Sequence, residues 1–173
     1  MTFNKYQFKK ADKNYNQLFN LEKNKFLKIF PKKTKIEHVG STAVPGLGGK
    51  GIIDILVESP KNKISSNIQK LESIGFVYKA KQGDNERKFL EKKIRYRFKE
   101  RRIHVHLTQK NSVAWKEFIL FRDYLKNNPK SIERYEQIKR EALKQAKCDG
   151  KAYRKYKSAF IKGIIKQAKK GKQ

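Results

Sequence analysis

Apolar positions recur along this chain at two periods, and the switch between them sets out its elements. Over residues 14–30, Leu18, Leu21 and Phe26 fall near helical spacing, with Lys25 on the same side and Phe19 and Ile29 beside them. Pro31 stops the run, so a helix is predicted there. Residues 35–39 read as a short strand. A glycine-rich stretch follows at 40–51, and then Ile52-Ile53-Asp54-Ile55-Leu56-Val57, a β-branched run with the look of a buried strand. Its one polar member is Asp54. Residues 61–73 return to the helical period, with Ile64, Ile68 and Leu71 on one side and Gly75 at the C-terminal stop. Residues 76–78, 88–92, 94–98 and 103–107 are short strand candidates.

From residue 112 the pattern is helical. Residues 112–127 turn Trp115, Phe118, Ile119 and Leu125 inward, and residues 131–147 place Ile132, Tyr135, Ile138 and Ala142 together. Residues 152–169 carry Tyr153, Tyr156, Phe160, Ile164 and Ala168 on one stripe. This order predicts an α+β fold: a mixed or antiparallel sheet flanked by helices, with a helical C-terminal subregion. The expected organisation is a single domain, with residues 1–110 as the α/β core and 111–173 as three helices packed on it. No repeat or Gly/Ser-rich linker interrupts it.

Charge changes the picture more than composition does. Hydrophobic residues make up 37%, below the usual roughly 45–50%, yet their periodicity argues for folding. The net charge is +28, from 44 basic and 16 acidic residues. An AT-rich coding bias would enrich Lys, but it would enrich Glu as well, and Glu stays at 11. The excess therefore points to contact with RNA or another polyanion, or to a solubility feature of the surface. After Asp149 there is no acidic residue, while nine basic ones follow, the last being Lys172. The last helix is thus amphipathic, able to dock by its apolar stripe and display its cations. No apolar run approaches the ~20 residues of a membrane span. The sequence MTFNKYQFKK lacks the apolar region of a secretory signal. Cys148, the one cysteine, has no partner for an internal disulfide and no base beside it, so a reducing, cytoplasmic location is expected.

Candidate chemistry concentrates in IEHVGSTAVPGLGGKGIIDILVE, residues 36–58. Gly40 allows a tight turn, Ser41 and Thr42 offer hydroxyls, and backbone N–H groups in such a turn converge on phosphate. The following strand returns Asp54 towards the turn. A carboxylate in so apolar a run needs a neutralising partner: a divalent cation, Lys50, or a histidine. His104 and His106 alternate on a strand and share a face, and His38 precedes the turn. With Asp54 these three form a candidate metal set, or a set of hydrogen-bonded histidines with no metal. Arg95 and Arg97, on one strand face, are candidates to clamp a triphosphate or to protect a strand edge. Arg122 and Asp123 are expected to pair and hold helix to sheet. Tyr135 and Lys139 are within reach of a nucleotide or serve helix packing.

The block EHVGSTAVPGLGGKGIIDIL at 37–56 resembles the GrpB-like family of the nucleotidyltransferase superfamily typified by DNA polymerase beta. HVHL at 104–107, FRDYLKNNP at 121–129, YEQIKREA at 135–142 and YRKYKSAFI at 153–161 are similar to the family's later segments. The resemblance implies a nucleotidyltransferase-like fold that moves a nucleoside monophosphate from an NTP to an acceptor. It places Gly40 and Ser41 on the phosphates, with Thr42 and Lys50 beside them, and Asp54 on a divalent metal, Mg²⁺ or Mn²⁺. Histidine ligands would instead suit Zn²⁺ or Mn²⁺. Two departures matter. The superfamily's second acid falls at Leu56, as it does across the family, and Glu58 lies ~13 Å along the strand from Asp54. Gly51 stands where the family has Pro. Two functions therefore compete: metal-dependent nucleotidyl transfer with Asp54 and Ser41 catalytic, and a nucleotide- or RNA-binding module with weakened or lost catalysis.

Overall fold

The structure is a computed structural model that describes residues 7–146 and 149–171. Cys148, Lys147 of the predicted 131–147 helix, Lys172 of the basic tail and the first six residues lie outside that description. The strands are β1 Ile36–Val39, β2 Ile53–Ser59, β3 Val77–Tyr78, β4 Arg87–Tyr96 and β5 Lys99–Gln109. They form one sheet in the order β1-β2-β5-β4-β3. β2 and β5 run parallel, and the other neighbours are antiparallel, so the sheet is mixed.

The register divides the chemistry between two faces. Ile53, Ile55 and Val57 align with Ile103, Val105 and Leu107 across the parallel pair, and Leu90 aligns with Val105 from the other side. All seven are fully buried against α1, Tyr15–Ile29, and α2, Ile64–Ser73, in one core with Leu18, Phe26 and Leu71. Each such side chain contributes about 1.5–3 kcal/mol relative to exposure. The alternate positions, Asp54 and Leu56 on β2 with His104 and His106 on β5, face the other way. α2 ends in a Schellman motif: Gly75 takes φ 91, Phe76 N–H bonds to Leu71 O and Gly75 N–H to Glu72 O.

The C-terminal helices are α3 Val113–Lys126, α4 Pro129–Gln145 and α5 Gly150–Lys170. Ser112 caps α3 by accepting from Trp115 N–H, and Asp149 caps α5 by accepting from Lys151 N–H. Phe121, Leu125, Tyr135 and Ile164 bury against one another and against Val44 and Leu47 of the glycine-rich loop. That second core holds the loop between the sheet and the helices.

Several elements differ from the sequence reading. Residues 88–98 are not two strands: β4 runs unbroken to Tyr96, and Arg97-Phe98 forms a two-residue turn into β5. β5 starts at Lys99 rather than at 103. Lys99, Glu100, Arg101 and Arg102 interrupt the apolar period, and the ladder to β4 rather than burial makes them a strand. Leu21 and Tyr156, placed on inward stripes, are 46% and 50% exposed. In α3 the buried positions are Phe121 and Leu125, while Trp115, Phe118 and Ile119 are half-buried.

Candidate active site

Asp54 is anchored by both strand histidines. The register sets it opposite His104, with His106 two residues further along the same face. His104 Nδ1 is 3.3 Å from Asp54 Oδ1 and His106 Nε2 is 3.2 Å from the same oxygen. The other nitrogen of His106, Nδ1, lies 3.1 Å from Arg87 Nη1. A guanidinium only donates, so Nδ1 accepts, and the neutral ring donates Nε2–H to Asp54. Burial lowers the His106 pKa against the pull of Asp54, and the charge of Arg87 lowers it further. The ring also packs 4.6 Å from Phe118 of α3 and 5.6 Å from Phe89 of β4. For Asp54, burial acts to raise the pKa, but the hydrogen bonds from His104 and His106 outweigh it and hold the carboxyl well below its usual range. The partner required by an acid in an apolar strand is thus supplied by imidazole groups at hydrogen-bond distance.

Asp54 also meets the turn. A Cβ built on Gly40, whose φ is 71, would stand 2.5 Å from Asp54 Oδ2. Two hydrogen bonds, from Ala43 N–H to Gly40 O and from Val44 N–H to Ser41 O, close a 3₁₀ turn at Ser41–Ala43. Neither bond uses the N–H of Ser41 or Thr42. The Ser41 hydroxyl has no hydrogen-bond partner among the described residues.

Thr42 and His38 stand behind this turn, which changes the parts expected of them. His38 aligns with Ile55, on the face opposite Asp54. The sequence-derived metal set of His38, Asp54, His104 and His106 therefore divides, with His38 apart. Its ring stacks on Phe19 at 4.7 Å. Thr42 Oγ1 donates to Ile52 O, so it accepts from His38 Nε2 at 3.0 Å. Burial, with Lys126 and Arg122 adding to it against the attraction of Asp54, lowers the His38 pKa to about 4. A neutral ring bonded this way leaves Nδ1 as a lone pair; the structure sets Asn16 Oδ1 3.2 Å from it, so the neutral tautomer requires the Asn16 amide turned over to present its NH₂. The Thr42 hydroxyl, expected on phosphate, is committed to this buried relay. Arg122 completes the support, donating to Glu37, to His38 O and to Asp123.

On the open side, α4 and α5 bring lysines to the loop. Lys139 is 1% exposed; its ammonium donates to Gly48 O and lies 4.8 Å from the centre of the Tyr135 ring. A Cβ on Gly49 would be 3.2 Å from Lys139 Nζ and 3.6 Å from Ser41 Oγ, so the two functional groups flank one stretch of loop. Lys50 and Lys157 each place Nζ 4.3 Å from the centre of the Tyr153 ring. Burial, reinforced by the charge of Lys157, lowers the Lys139 pKa to about 7. Burial and Arg154 lower Lys157 to about 8 against the attraction of Asp54. Glu136 holds the same loop by accepting from Gly48 N–H, and Lys9 closes a two-way backbone bridge to Gly49.

Lys157, Arg87 and Glu91 carried no role in the sequence reading. Arg87 and Glu91 reach the site through β4, whose extent the charge pattern hides. Lys157 had a signal: Tyr135 and Lys139, like Tyr153 and Lys157, are four apart on inward stripes, and a lysine at an inward position needs an anion or a carbonyl. Arg95 and Arg97 do not share a strand face as expected. Arg97 occupies the β4–β5 turn and donates to Gln17, while Arg95 is exposed opposite Glu100.

A metal pair of the Asp-x-Asp type needs a second carboxylate at Leu56, which is apolar and fully buried. The groups converging on Asp54 are imidazoles already at hydrogen-bond distance from it. Among the described residues no three His, Asp, Glu or Cys side chains are arranged to hold an ion. The residues present do not fit a two-magnesium site.

A mixed sheet in which a Gly-Ser turn leads into an acid-bearing strand, backed by helices, is a nucleotidyltransferase-like fold. Cid1 poly(U) polymerase bound to MgATP shares it, with TM-score 0.56 over 82% of this chain and 46% of that one, at 13% identity. A second Cid1 structure, MgGTP-bound, gives 0.55. The chain belongs to the GrpB family, whose sequence profile, described as GrpB protein, matches residues 5–167. It is 31% identical over 158 residues to glutamate-rich protein GrpB of Alkalihalophilus pseudofirmus, covering 89% of this chain and 90% of that one. The conserved protein GrpB from Enterococcus faecalis superposes with TM-score 0.81 at 30% identity, over 96% of this chain and 100% of that one. UPF0157 protein YqkA of Bacillus subtilis is 28% identical over 91% of this chain, which spans 45% of its length.

Proposed function

We propose that this chain binds a nucleoside triphosphate, or a small molecule bearing a similar phosphate chain. The phosphates lie on the Gly40-Ser41 turn, with Lys50, Lys139 and Lys157 around them. The observation that carries this reading is the burial of Lys139 across Gly49 from a Ser41 hydroxyl that has no hydrogen-bond partner among the described residues, with the half-buried Lys157 over the neighbouring Tyr153 ring. Lys139 is committed to a carbonyl and Lys157 to a ring, and neither is in an ion pair among the described residues. Ammonium groups so placed are stabilised when a polyanion supplies the missing charge. The nucleotides held by the Cid1 structures support the ligand class. Such a ligand is made in the cytoplasm, which fits the location expected from the sequence.

Titration calorimetry with ATP tests the reading. Lys139→Met and Lys157→Met are each expected to weaken binding about tenfold or more, a loss of ~1.4 kcal/mol. Above about pH 8 both lysines lose protons in the free protein, so binding there is expected to take up protons. Heats measured in buffers of different ionisation enthalpy report that uptake. Wild-type affinity in both variants overturns the assignment.

A second reading keeps transfer of a nucleoside monophosphate to an acceptor, assisted by one divalent cation. The observation favouring it is His104 Nε2, which has no hydrogen-bond partner among the described residues and lies 4.0 Å from Glu91 Oε2. One carboxylate with imidazoles suits Mn²⁺ or Zn²⁺ better than Mg²⁺. Incubation with labelled NTPs and each metal, read as pyrophosphate release or self-labelling, decides it. No turnover with any pair leaves nucleotide binding as the function.

A further inference from the structure

The β4–β5 hairpin ends in an aromatic side chain turned out to solvent. Phe98 is 92% exposed. It and Arg97 occupy the two turn positions with φ of 61 and 47, in the left-handed region where such turns favour Gly, Asn or Asp. Neither residue type is chosen for making the turn. Aromatic and basic residues alternate through the tip: Arg95, Tyr96, Arg97, Phe98, Lys99. Some nearby cations are spoken for, since Lys92 donates to Ile74 O and Arg101 pairs with Asp12. Arg95 and Lys99 have no hydrogen-bond or ion-pair partner among the described residues. The Arg97 guanidinium lies 5.6 Å from the centre of the Tyr96 ring.

The tip also has a defined position. β5 runs from it to His104, parallel to β2, so it projects past the end of the sheet where the glycine-rich loop enters β2. A Cβ on Gly51 would lie 3.8 Å from Arg101 Nη1, which ties the base of the hairpin to that loop. From Phe98 to His104 the strand spans ~20 Å.

We infer that the tip of the β4–β5 hairpin docks single-stranded nucleic acid, with Phe98 stacking on a base and Arg95, Arg97 and Lys99 meeting the flanking phosphates. Aromatic rings interleaved with cations fit a strand whose bases are unpaired, because duplex bases offer no face to stack on. A bilayer fits less well, since one phenylalanine ringed by cations offers little apolar area to insert. The inference goes beyond nucleotide binding at the lysines and requires neither an NTP nor turnover.

Fluorescence anisotropy on the full chain, with a labelled uridine RNA of about 12 nucleotides, tests it. Phe98→Ala is expected to weaken binding about 5- to 100-fold, and Phe98→Trp to retain it. The Arg95→Gln/Lys99→Gln double variant is expected to lower the slope of log affinity against log salt by ~1.4, at ~0.7 per phosphate contact. ATP affinity measured on the same samples should stay at the wild-type value, which separates this site from the lysine cluster. RNA affinity unchanged in Phe98→Ala and in the double variant overturns the inference and moves polyanion contact elsewhere, the cations of α5 included. Binding to phosphatidylglycerol vesicles that falls in Phe98→Ala while RNA binding holds overturns it as well.

Discussion

At Gly40 the missing side chain lets the carboxylate of Asp54 approach the turn. Two constraints coincide there: the left-handed φ, and the 2.5 Å that would separate a Cβ from Oδ2. Gly40→Ala is expected to destabilise by about 2–4 kcal/mol, combining backbone strain with a contact that cannot relax. Urea unfolding measures it. Asp54→Ala in the same chain should recover the contact part and not the strain part, so the two substitutions should be non-additive. His38 gives a second residue-level expectation. Its folded pKa, about 4, lies below the unfolded value of 6.5. Between those values the unfolded chain binds more protons, so stability falls as pH drops from 6.5 to 4. The loss should reach on the order of 3 kcal/mol, with His106, lowered in the same direction, adding to that window. His38→Gln, which retains a donor for Thr42, should flatten the profile in urea titrations between pH 4 and 7.

Among the elements, α4 carries the most telling compromise. Tyr135, Lys139 and Ala142 form its buried stripe, and the lysine occupies a place an apolar side chain would fill. Its folded pKa of about 7 is below 10.5 in the unfolded chain, so folding stability should rise with pH across that interval, and Lys157 should add to the rise from about 8. Lys139→Met should remove most of the slope and raise stability near pH 6 while weakening ATP binding. How far the elements could be read from sequence follows the same physics. α1, α2 and β2 declare themselves because apolar residues dominate their periods, and Asp54 is legible as a candidate because it stands out in the otherwise apolar run of β2. β4 and β5 did not, because the residues that extend them are charged and held by ladder hydrogen bonds. His104 and His106 were legible as a pair, but their contact with Asp54 depends on strand order, which periodicity does not encode. His38 was misplaced for a related reason: its face follows from a register that no spacing specifies.

For the whole molecule, charge of one sign dominates. The net +28 is spread over both parts of the chain, and like charges held together oppose compaction. The melting temperature should rise by several degrees between low and physiological salt as the Debye length shrinks to about 8 Å. Differential scanning calorimetry checks this, and a melting temperature insensitive to salt would show that local pairs such as Arg101–Asp12 already offset the repulsion. No helix among the described residues is long and apolar enough to cross a membrane; Phe121 and Leu125 of α3, Tyr135 of α4 and Ile164 of α5 are buried in the second core.

The parallel contact between β2 and β5 has a kinetic side. His106 and Asp54 are 52 residues apart in sequence, whereas β4 and β5 are joined by a two-residue turn. Local hairpins close in microseconds, and distant pairings wait on loop closure. The carboxylate of Asp54 therefore stays solvated while the hairpin forms, and it meets its histidines only when the central strands zip. A nascent chain in the ribosome exit tunnel lacks those bonds until β5 emerges, so the site around Gly40, Ser41 and Asp54 is finished late in synthesis and early release would leave it unbuilt.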